Sequence, residues 1–267
     1  MLYYIATPIG NLKEITYLAV EKLNEVDCIY AENPRHSLTL LGFYNIKKPV
    51  FEYQRHSEKR VAGDIINKLK EGQSIAVISD AGTPLISDPG DVLRQELIKH
   101  NLFFTLIGGT CAAVNALVLS GLDTVNFCMV GFLPEKQKAK KELLAKFKDL
   151  KASLIFYIAV HDVKKDLEFL ASELGTRKAA LVREISKKFE QVIRFNLGEQ
   201  IDYTAKGEFV LVVNGAADET VELADEALIA ELKILLSQDI SKKEAAKIMA
   251  AKYGLVSRSV YELAINM

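Results

Sequence analysis

The sequence predicts an α/β protein of two α/β domains with a cleft between them, followed by a small helical segment. Three observations carry that expectation. Apolar runs of strand length alternate with segments of helical spacing from the first residues onward. Loops rich in Gly, Pro and Asp follow several strands, where open α/β sheets place ligands. Residues 223–267 then lose strand signals and read as helices alone.

In chain order, 2–6 reads as a strand, and 13–26 carries Ile15, Leu18, Ala19, Leu23 and Val26 on one helical face. Residues 28–31 are again strand-like. Over 58–70, Val61, Ile65, Ile66 and Leu69 repeat the helical spacing, and Gly72 closes the helix. Strand 75–78, loop 80–90, helix 91–100, strand 102–107 and a small-residue helix over 111–120 complete a first domain, residues 1–122, with a largely parallel sheet covered on both faces. The second domain, 123–216, has a strand at 127–132 and a basic helix from Pro134 to about residue 148. A strand at 153–158, a helix at 162–174 ended by Gly175, and strands at 179–182, 189–195 and 208–213 follow, with a polar linker at 216–222.

In the last segment, Leu228, Leu232, Leu235 and Leu236 form one stripe. Ser241 with Glu244 is a capping box for a helix over 242–252 ended by Gly254, and Ser259 with Glu262 opens another over 260–265. Helix, turn, helix is the spacing of a nucleic-acid-binding unit; a small cap packed on the body fits it equally.

A balance of 34 basic against 35 acidic residues leaves a net charge of −1, so any nucleic-acid or membrane binding comes from local patches. Cys28, Cys111 and Cys128 lack C-x-x-C spacing, and His36, His56, His100 and His161 form no metal-ligand pair. The expectation is a reduced cytoplasmic protein with no signal peptide, no membrane span and no metal.

The loop 80–90, Asp80-Ala-Gly-Thr-Pro-Leu-Ile-Ser-Asp-Pro-Gly90, is too long for a plain connector. Asp88 stands three residues before Asp91 and is expected to cap the following helix, which leaves Asp80 as the ligand candidate. The loop after the first strand, residues 6–12 with Pro8 and Gly10, lacks dinucleotide and P-loop patterns and on its own reads as a tight turn. Small residues at 108–113 suit either close approach of a flat ligand or tight helix–sheet packing. His36 lies in a polar loop, 32–36, and reads as a surface residue within reach of substrate. Lys136, Lys138, Lys140 and Lys141, with Lys187 and Lys188, are solvated faces or, with Arg35, a phosphate-contacting rim.

Taken together, Ala6-Thr-Pro-Ile-Gly-Asn-Leu12, Ala31-Glu32 with Arg35-His36, the 80–90 string, Gly131-Phe-Leu-Pro134 and Lys206-Gly-Glu-Phe-Val210 resemble the ribosomal RNA small subunit methyltransferase I family of the tetrapyrrole methylase superfamily. The resemblance runs over essentially the whole chain. It implies two α/β domains with S-adenosylmethionine in the cleft between them, a homodimer, and methylation of a cytidine ribose 2′-hydroxyl in the decoding region of 16S rRNA in the 30S subunit. By position, the cofactor would meet Pro8, Asp80, Gly82, Leu85, Ser87, Cys111, Ala112, Phe132, Tyr157 and Ile158. RNA would meet Arg35, His36, Lys136, Lys138, Lys140, Lys187, Lys188 and the C-terminal helices. Glu32, Asp80 and Glu184 are the carboxylates at strand ends; Glu32 and Glu184 with Arg35 are the catalytic candidates, Glu184 otherwise pairing with Arg183 or Arg194.

The chain departs from the family pattern in three places. Glu-Asp-Thr-Arg becomes Glu32-Asn-Pro-Arg35, Gly-Pro-Ser becomes Gly109-Thr-Cys111, and Tyr-Glu-Ser-Pro-His-Arg becomes Tyr157-Ile-Ala-Val-His-Asp162. The alternatives are a precorrin-type methylase of the same fold and a ribosome-binding homologue with impaired catalysis.

Overall fold

Residues 1–217, 225–238, 240–253, 255 and 257–265 are described by the computed structural model. They fall into two compact units, Met1–Gly215 and Ala216–Met267. The first unit holds two five-stranded sheets.

The first sheet is formed by β1 (Leu2–Ile5), β2 (Cys28–Ala31), β3 (Val50–Glu52), β4 (Ile75–Ile78) and β5 (Phe104–Ile107) in the order β3-β2-β4-β1-β5. Every pairing is parallel, with Leu2 opposite Ile75 and Phe104, and Cys28 also opposite Ile75. Parallel strands covered on both faces read as continuous apolar runs, and β2 and β4 are buried at each residue. Alternate side chains serve opposite faces. Tyr4, Tyr30 and Val77 meet Val61, Ile65, Leu93 and Leu97 from α3 (Glu58–Lys70) and α4 (Asp91–Lys99). Ile5, Ile29 and Ile78 meet Ala19, Leu23 and Leu41 from α1 (Tyr17–Glu25) and α2 (Pro34–Phe43).

Three features differ from the sequence reading. The helix expected over 13–26 is a 3₁₀ turn at Leu12–Glu14, an extended Ile15, and α1, whose first turn is capped by Thr16 Oγ1 accepting from Ala19 N–H at 3.2 Å. The stretch 32–36 is not a loop. Asn33 accepts from His36 N–H and Pro34 takes the first helical position, so Arg35 and His36 stand in the first turn of α2. Strand β3 escaped because three residues at a sheet edge carry no period.

The second sheet runs β6-β7-β10-β8-β9, from β6 (Phe127–Phe132), β7 (Ser153–Ile158), β8 (Lys178–Arg183), β9 (Gln191–Asn196) and β10 (Phe209–Val213). Only β6 and β7 are parallel, so this sheet is mixed and mostly antiparallel. One face packs Leu154, Phe156 and Ile158 against Leu170 and Leu174 of α7 (Val163–Leu174). The other packs Ile155, Val182, Val210 and Val212 against Ala113, Ala116 and Leu117 of α5 (Ala112–Ser120). Helix α5 leaves the first sheet and covers the second, which joins the two layers.

The basic helix expected from Pro134 to about 148 is shorter: α6 spans Gln137–Leu144. Lys140, expected among the RNA contacts, is 2% exposed and paired with Asp166 of α7, its ammonium 5.5 Å from the Phe169 ring centroid. It faces inward because Lys140 and Leu144 share the buried side of α6. This corrects the expectation.

The second unit contains α8 (Asp225–Leu236), α9 (Lys242–Tyr253) and α10 (Ser257–Ile265). Leu228, Leu232, Ala245, Ala246, Met249, Val260 and Ala264 form its core, so the leucine stripe is used as expected. Ser241 Oγ accepts from Glu244 N–H at 3.2 Å. Helix α10 begins at Ser257. Gly254, the side-chain pairing of Ser259 with Glu262, and the linker beyond residue 217 lie outside the described residues.

The Lys140–Asp166 pair supplies a stability test. Removing one partner strands a buried charge, so Asp166→Ala is expected to lower the unfolding free energy by about 3–5 kcal/mol. Lys140→Met with Asp166→Leu, which removes both charges, is expected to restore most of that loss. Denaturant titration of the three proteins measures both steps.

Candidate functional site

The loops after β1 and β4 are tied to each other. Thr7 N–H donates to the Gly82 carbonyl at 2.9 Å, and Gly82 N–H returns to the Thr7 carbonyl at 3.0 Å. The Thr7 hydroxyl donates to the Ser79 carbonyl at 3.1 Å. Asp80 Oδ1 accepts from Asn33 N–H at 3.1 Å, which fixes the start of α2 beside the β4 loop. These loops line a cavity of about 320 Å³, with Pro8, Gly10 and Asp80 on one wall, His36 from α2 on another, and Lys187 and Glu208 from the second sheet closing it. Pro8 and Asp80, expected at the cofactor, and His36 and Lys187, expected at RNA, thus line one cavity, and Glu208 joins them without having been given a role.

The second sheet reaches this cavity through a strained turn. Glu184 and Ser186 have φ of 52° and 65°, a left-handed backbone that side-chain-bearing residues rarely adopt. Glu184 Oε1 accepts from Lys187 Nζ at 2.9 Å and from Glu208 N–H at 3.0 Å, while Lys187 Nζ also donates to Glu208 Oε2 at 2.9 Å. Burial opposes the charge on both Glu184 and Lys187. The hydrogen bonds between them win, holding the Glu184 carboxyl below the usual carboxylate range and the Lys187 ammonium above its ordinary value. Glu184 therefore pairs with Lys187, not with Arg183 or Arg194. Arg183 Nε donates to the Lys206 carbonyl at 2.6 Å, and Arg194 Nε to the Ser120 carbonyl at 2.8 Å.

Asp88 does not cap α4, contrary to expectation. Glu58 of α3 does so from a distance: its Oε1 accepts from Gly90 N–H and Val92 N–H, both at 2.9 Å, and from the Tyr53 hydroxyl at 3.1 Å. No sequence signal marked Glu58, because the cap comes from another helix. Asp88 instead has a buried Oδ2 with no hydrogen-bond partner among the described residues. Burial, then the neighbouring Glu32 charge, pushes its pKa up to about 6, with the Ser79 hydroxyl opposing, Asp80 adding and Arg55 opposing. Glu32 is raised as well, by burial and then by Asp80. Glu32, Asp80 and Asp88 form a mutually repelling set, and a positively charged ligand group would relieve it.

The remaining cofactor candidates divide. Cys111, Ala112 and Tyr157 pack in one cluster, and the Phe132 and Tyr157 rings are 5.3 Å apart. Burial and the Cys111 neighbour raise Tyr157 to about 12, although its oxygen accepts from Ala113 N–H. Ser87, at φ 71°, faces Gly131 of β6, its Oγ 4.0 Å from where a side chain there would begin. Two side chains point elsewhere. Leu85 turns onto Gly90 and the Tyr4 side of the core, and Ile158 is 3% exposed in the core facing α7. Of the RNA candidates, Arg35, His36, Lys136, Lys138 and Lys188 are exposed. Among the described residues no group of His, Cys, Asp and Glu is arranged to hold a metal ion.

The family pattern for Tetrapyrrole (Corrin/Porphyrin) Methylases matches residues 1–200. Ribosomal RNA small subunit methyltransferase I of Pasteurella multocida is 42% identical, the match covering 100% of this chain and 97% of the relative. The protein of the same name from Bacillus subtilis is 36% identical over 98% of this chain and 93% of its own. Among solved structures, diphthine synthase superposes with a TM-score of 0.63 at 18% identity, covering 80% of this chain and 90% of that one. At that identity the superposition shows the fold alone.

Asp88 gives a pH test with a definite sign. Its pKa is raised from 3.8 in the unfolded chain to about 6 in the folded one, so folding is favoured fully below 3.8 and loses stability as pH rises toward 6. Asp88→Asn is expected to raise the unfolding free energy above neutral pH by about 1–2 kcal/mol after solvent screening, and to change nothing at pH about 3. Melting temperatures of both proteins across that range measure the difference.

Proposed function

The chain belongs to the tetrapyrrole methylase family, in its ribosomal RNA small subunit methyltransferase I branch, and from that membership we propose that it methylates a cytidine ribose 2′-hydroxyl in the decoding region of 16S rRNA. It is an S-adenosylmethionine-dependent methyltransferase. The observation that carries the substrate reading is identity of 42% across 97% of a relative named for ribosomal RNA, over the whole of this chain with its C-terminal helices included.

The residues present fit the cofactor. S-adenosylmethionine supplies an electrophilic methyl on a sulfonium and also carries an ammonium. The unpartnered Asp88 Oδ2, within the Glu32–Asp80–Asp88 set, suits such positive charge. The small residues at Cys111 and Ala112, the Phe132–Tyr157 ring pair and Ser87 would hold the rest. Methyl transfer is an in-line displacement, so the main task of these side chains is to orient the two reactants and exclude water. His36 at the cavity mouth, with the exposed Arg35 beside it in the first turn of α2 and Lys136, Lys138 and Lys188, are the residues we assign to phosphate contact, and Lys242, Lys243 and Lys247 of the second unit offer a further basic face.

The same reading places the protein in the cytoplasm as a homodimer acting on the 30S subunit, with domains at 1–122, 123–216 and 223–267. Exposed Leu106, Val114, Val118, Val125 and Phe127, on β5, α5 and the start of β6, support a face buried between copies. No helix among the described residues is long and apolar enough to cross a membrane.

The test is mass spectrometry of small-subunit rRNA from cells lacking the gene. Loss of one 2′-O-methyl group on a cytidine in the decoding region is expected, restored by the purified protein with S-adenosylmethionine. Unchanged ribose methylation there, or methyl transfer to a corrinoid and never to RNA, overturns the assignment.

A further inference from the structure

We propose that Glu208 is the catalytic base of the transfer and that Lys187, anchored by Glu184, is the residue that positions it. This rests on the ribose-methylation reading. A ribose hydroxyl is a weak nucleophile near neutral pH, so a group that takes its proton as the O–C bond forms lowers the barrier.

Four titratable groups line the cavity: His36, Asp80, Lys187 and Glu208. Asp80 is committed to structure, because its Oδ1 holds Asn33 N–H at the start of α2 and its charge belongs to the acidic set with Glu32 and Asp88. His36 is exposed and makes no side-chain hydrogen bond among the described residues, so nothing fixes its ring toward a substrate. Lys187 is an ammonium held charged between two carboxylates and has no lone pair to offer. Glu208 is the remaining acceptor.

Its surroundings are those of an oriented base. The Glu184 side chain is 17% exposed and receives Lys187, Lys187 reaches on to Glu208, and the Glu208 side chain, 75% exposed, is part of the cavity lining. Oε2 of Glu208 is bonded to Lys187 and Oε1 has no partner among the described residues. Half-buried anchor, charged link and open actor is the order in which catalytic side chains are held in place. The backbone is specialised to build it. Glu184 and Ser186 carry left-handed φ, and residue 207 has to be glycine for the anchor to fit, since its φ is 92° and a Cβ there would collide with the Glu184 carboxylate.

The step balances without a further reactant. The ribose 2′-oxygen forms a bond to the methyl carbon, the carbon–sulfonium bond breaks with its electron pair passing to sulfur, and the hydroxyl proton passes to Glu208 Oε1. The products are the methyl ether, the neutral thioether and a protonated Glu208, which returns its proton to solvent through its exposed side.

The experiment measures single-turnover transfer of labelled methyl from S-adenosylmethionine to small ribosomal subunits lacking the modification. The full chain and its variants are used, with cofactor affinity by calorimetry and melting temperature as controls. Glu208→Gln is expected to lose about 10²-fold or more in rate, with cofactor affinity within about twofold of the parent, and Glu208→Asp to recover part of the loss. Lys187→Met is expected to lower kcat more than it raises KM, and Lys187→Arg to recover part of it. A Glu208→Gln rate within about threefold of the parent overturns the proposal, as does a loss carried instead by His36→Ala. A parent protein that methylates no subunit position overturns the ribose reading and this inference with it; a parent that does, beside an unimpaired Glu208→Gln, overturns the inference alone.

Discussion

The close approach of Gly10 to the turn after β8 sets the geometry of everything around the cavity. A Cβ at residue 10 would lie 2.5 Å from Lys187 Cγ and 2.8 Å from the Ile185 carbonyl oxygen. A lysine stem can shift, but a backbone carbonyl at the end of a buried strand cannot shift cheaply. The loop after β1 and the turn after β8 are therefore packed backbone against backbone. The backbone that carries Lys187 is consequently fixed against the loop of Thr7 and Pro8, although it comes from the other sheet, and Glu184 and Glu208 hold the ammonium. Helix α5 reinforces the joint by packing Ala113, Ala116 and Leu117 on β7, β8 and β10.

Across this joint the charged groups are arranged in two different ways. On the side of the first sheet, burial and then Asp80 raise Glu32, and burial, then Glu32 and Asp80, raise Asp88, with Arg55 the opposing charge. On the side of the second sheet, Lys187 is satisfied by Glu184 and Glu208. The first arrangement opposes folding once Asp88 ionises, since a buried Asp88 oxygen goes unpaired; the second favours it, since its hydrogen bonds hold Glu184 and Lys187 charged. Local conflict of this kind, set in a fold whose strands, caps and core otherwise agree, is where function is expected to have shaped the sequence. It suits a cleft that receives a cationic cofactor on one wall and passes a proton on the other.

How far these features could be read in advance depended on the range of the interaction. Apolar strands and one-sided helices announced themselves, because periodicity and burial are set within ten residues; Ile75 to Ile78 and Val61 to Leu69 are where the pattern placed them. Local caps were readable in principle, and Asn33-Pro34 is a helix start that a reading of 32–36 as loop passed over. Contacts set by the tertiary fold left no trace. Glu58 caps a helix more than thirty residues away, Lys140 finds Asp166 across two helices, and Glu184 chooses Lys187 over the adjacent arginine. Glu208 lay in a recognised string without a role, because its partner becomes visible only when β8 and β10 are paired.

The altered segment at residues 157–162 can now be weighed by strand geometry. Successive side chains of β7 point to opposite faces. Ile155 and Tyr157 face α5 and the joint, while Leu154, Phe156 and Ile158 face α7. Tyr157, the member of the pair that reaches Ala113, Cys111 and Phe132, is the residue this chain keeps. Ile158 stands where the family pattern has a glutamate, and it is buried in the apolar core on the far face. A carboxylate there would need either a partner in that core or a different path of the strand end. An isoleucine needs neither. The substitution therefore removes a charge from a position that, in this fold, lies on the far face of the sheet, and in the proposed reading the positive charge of the cofactor is left to the Asp88 side of the cleft.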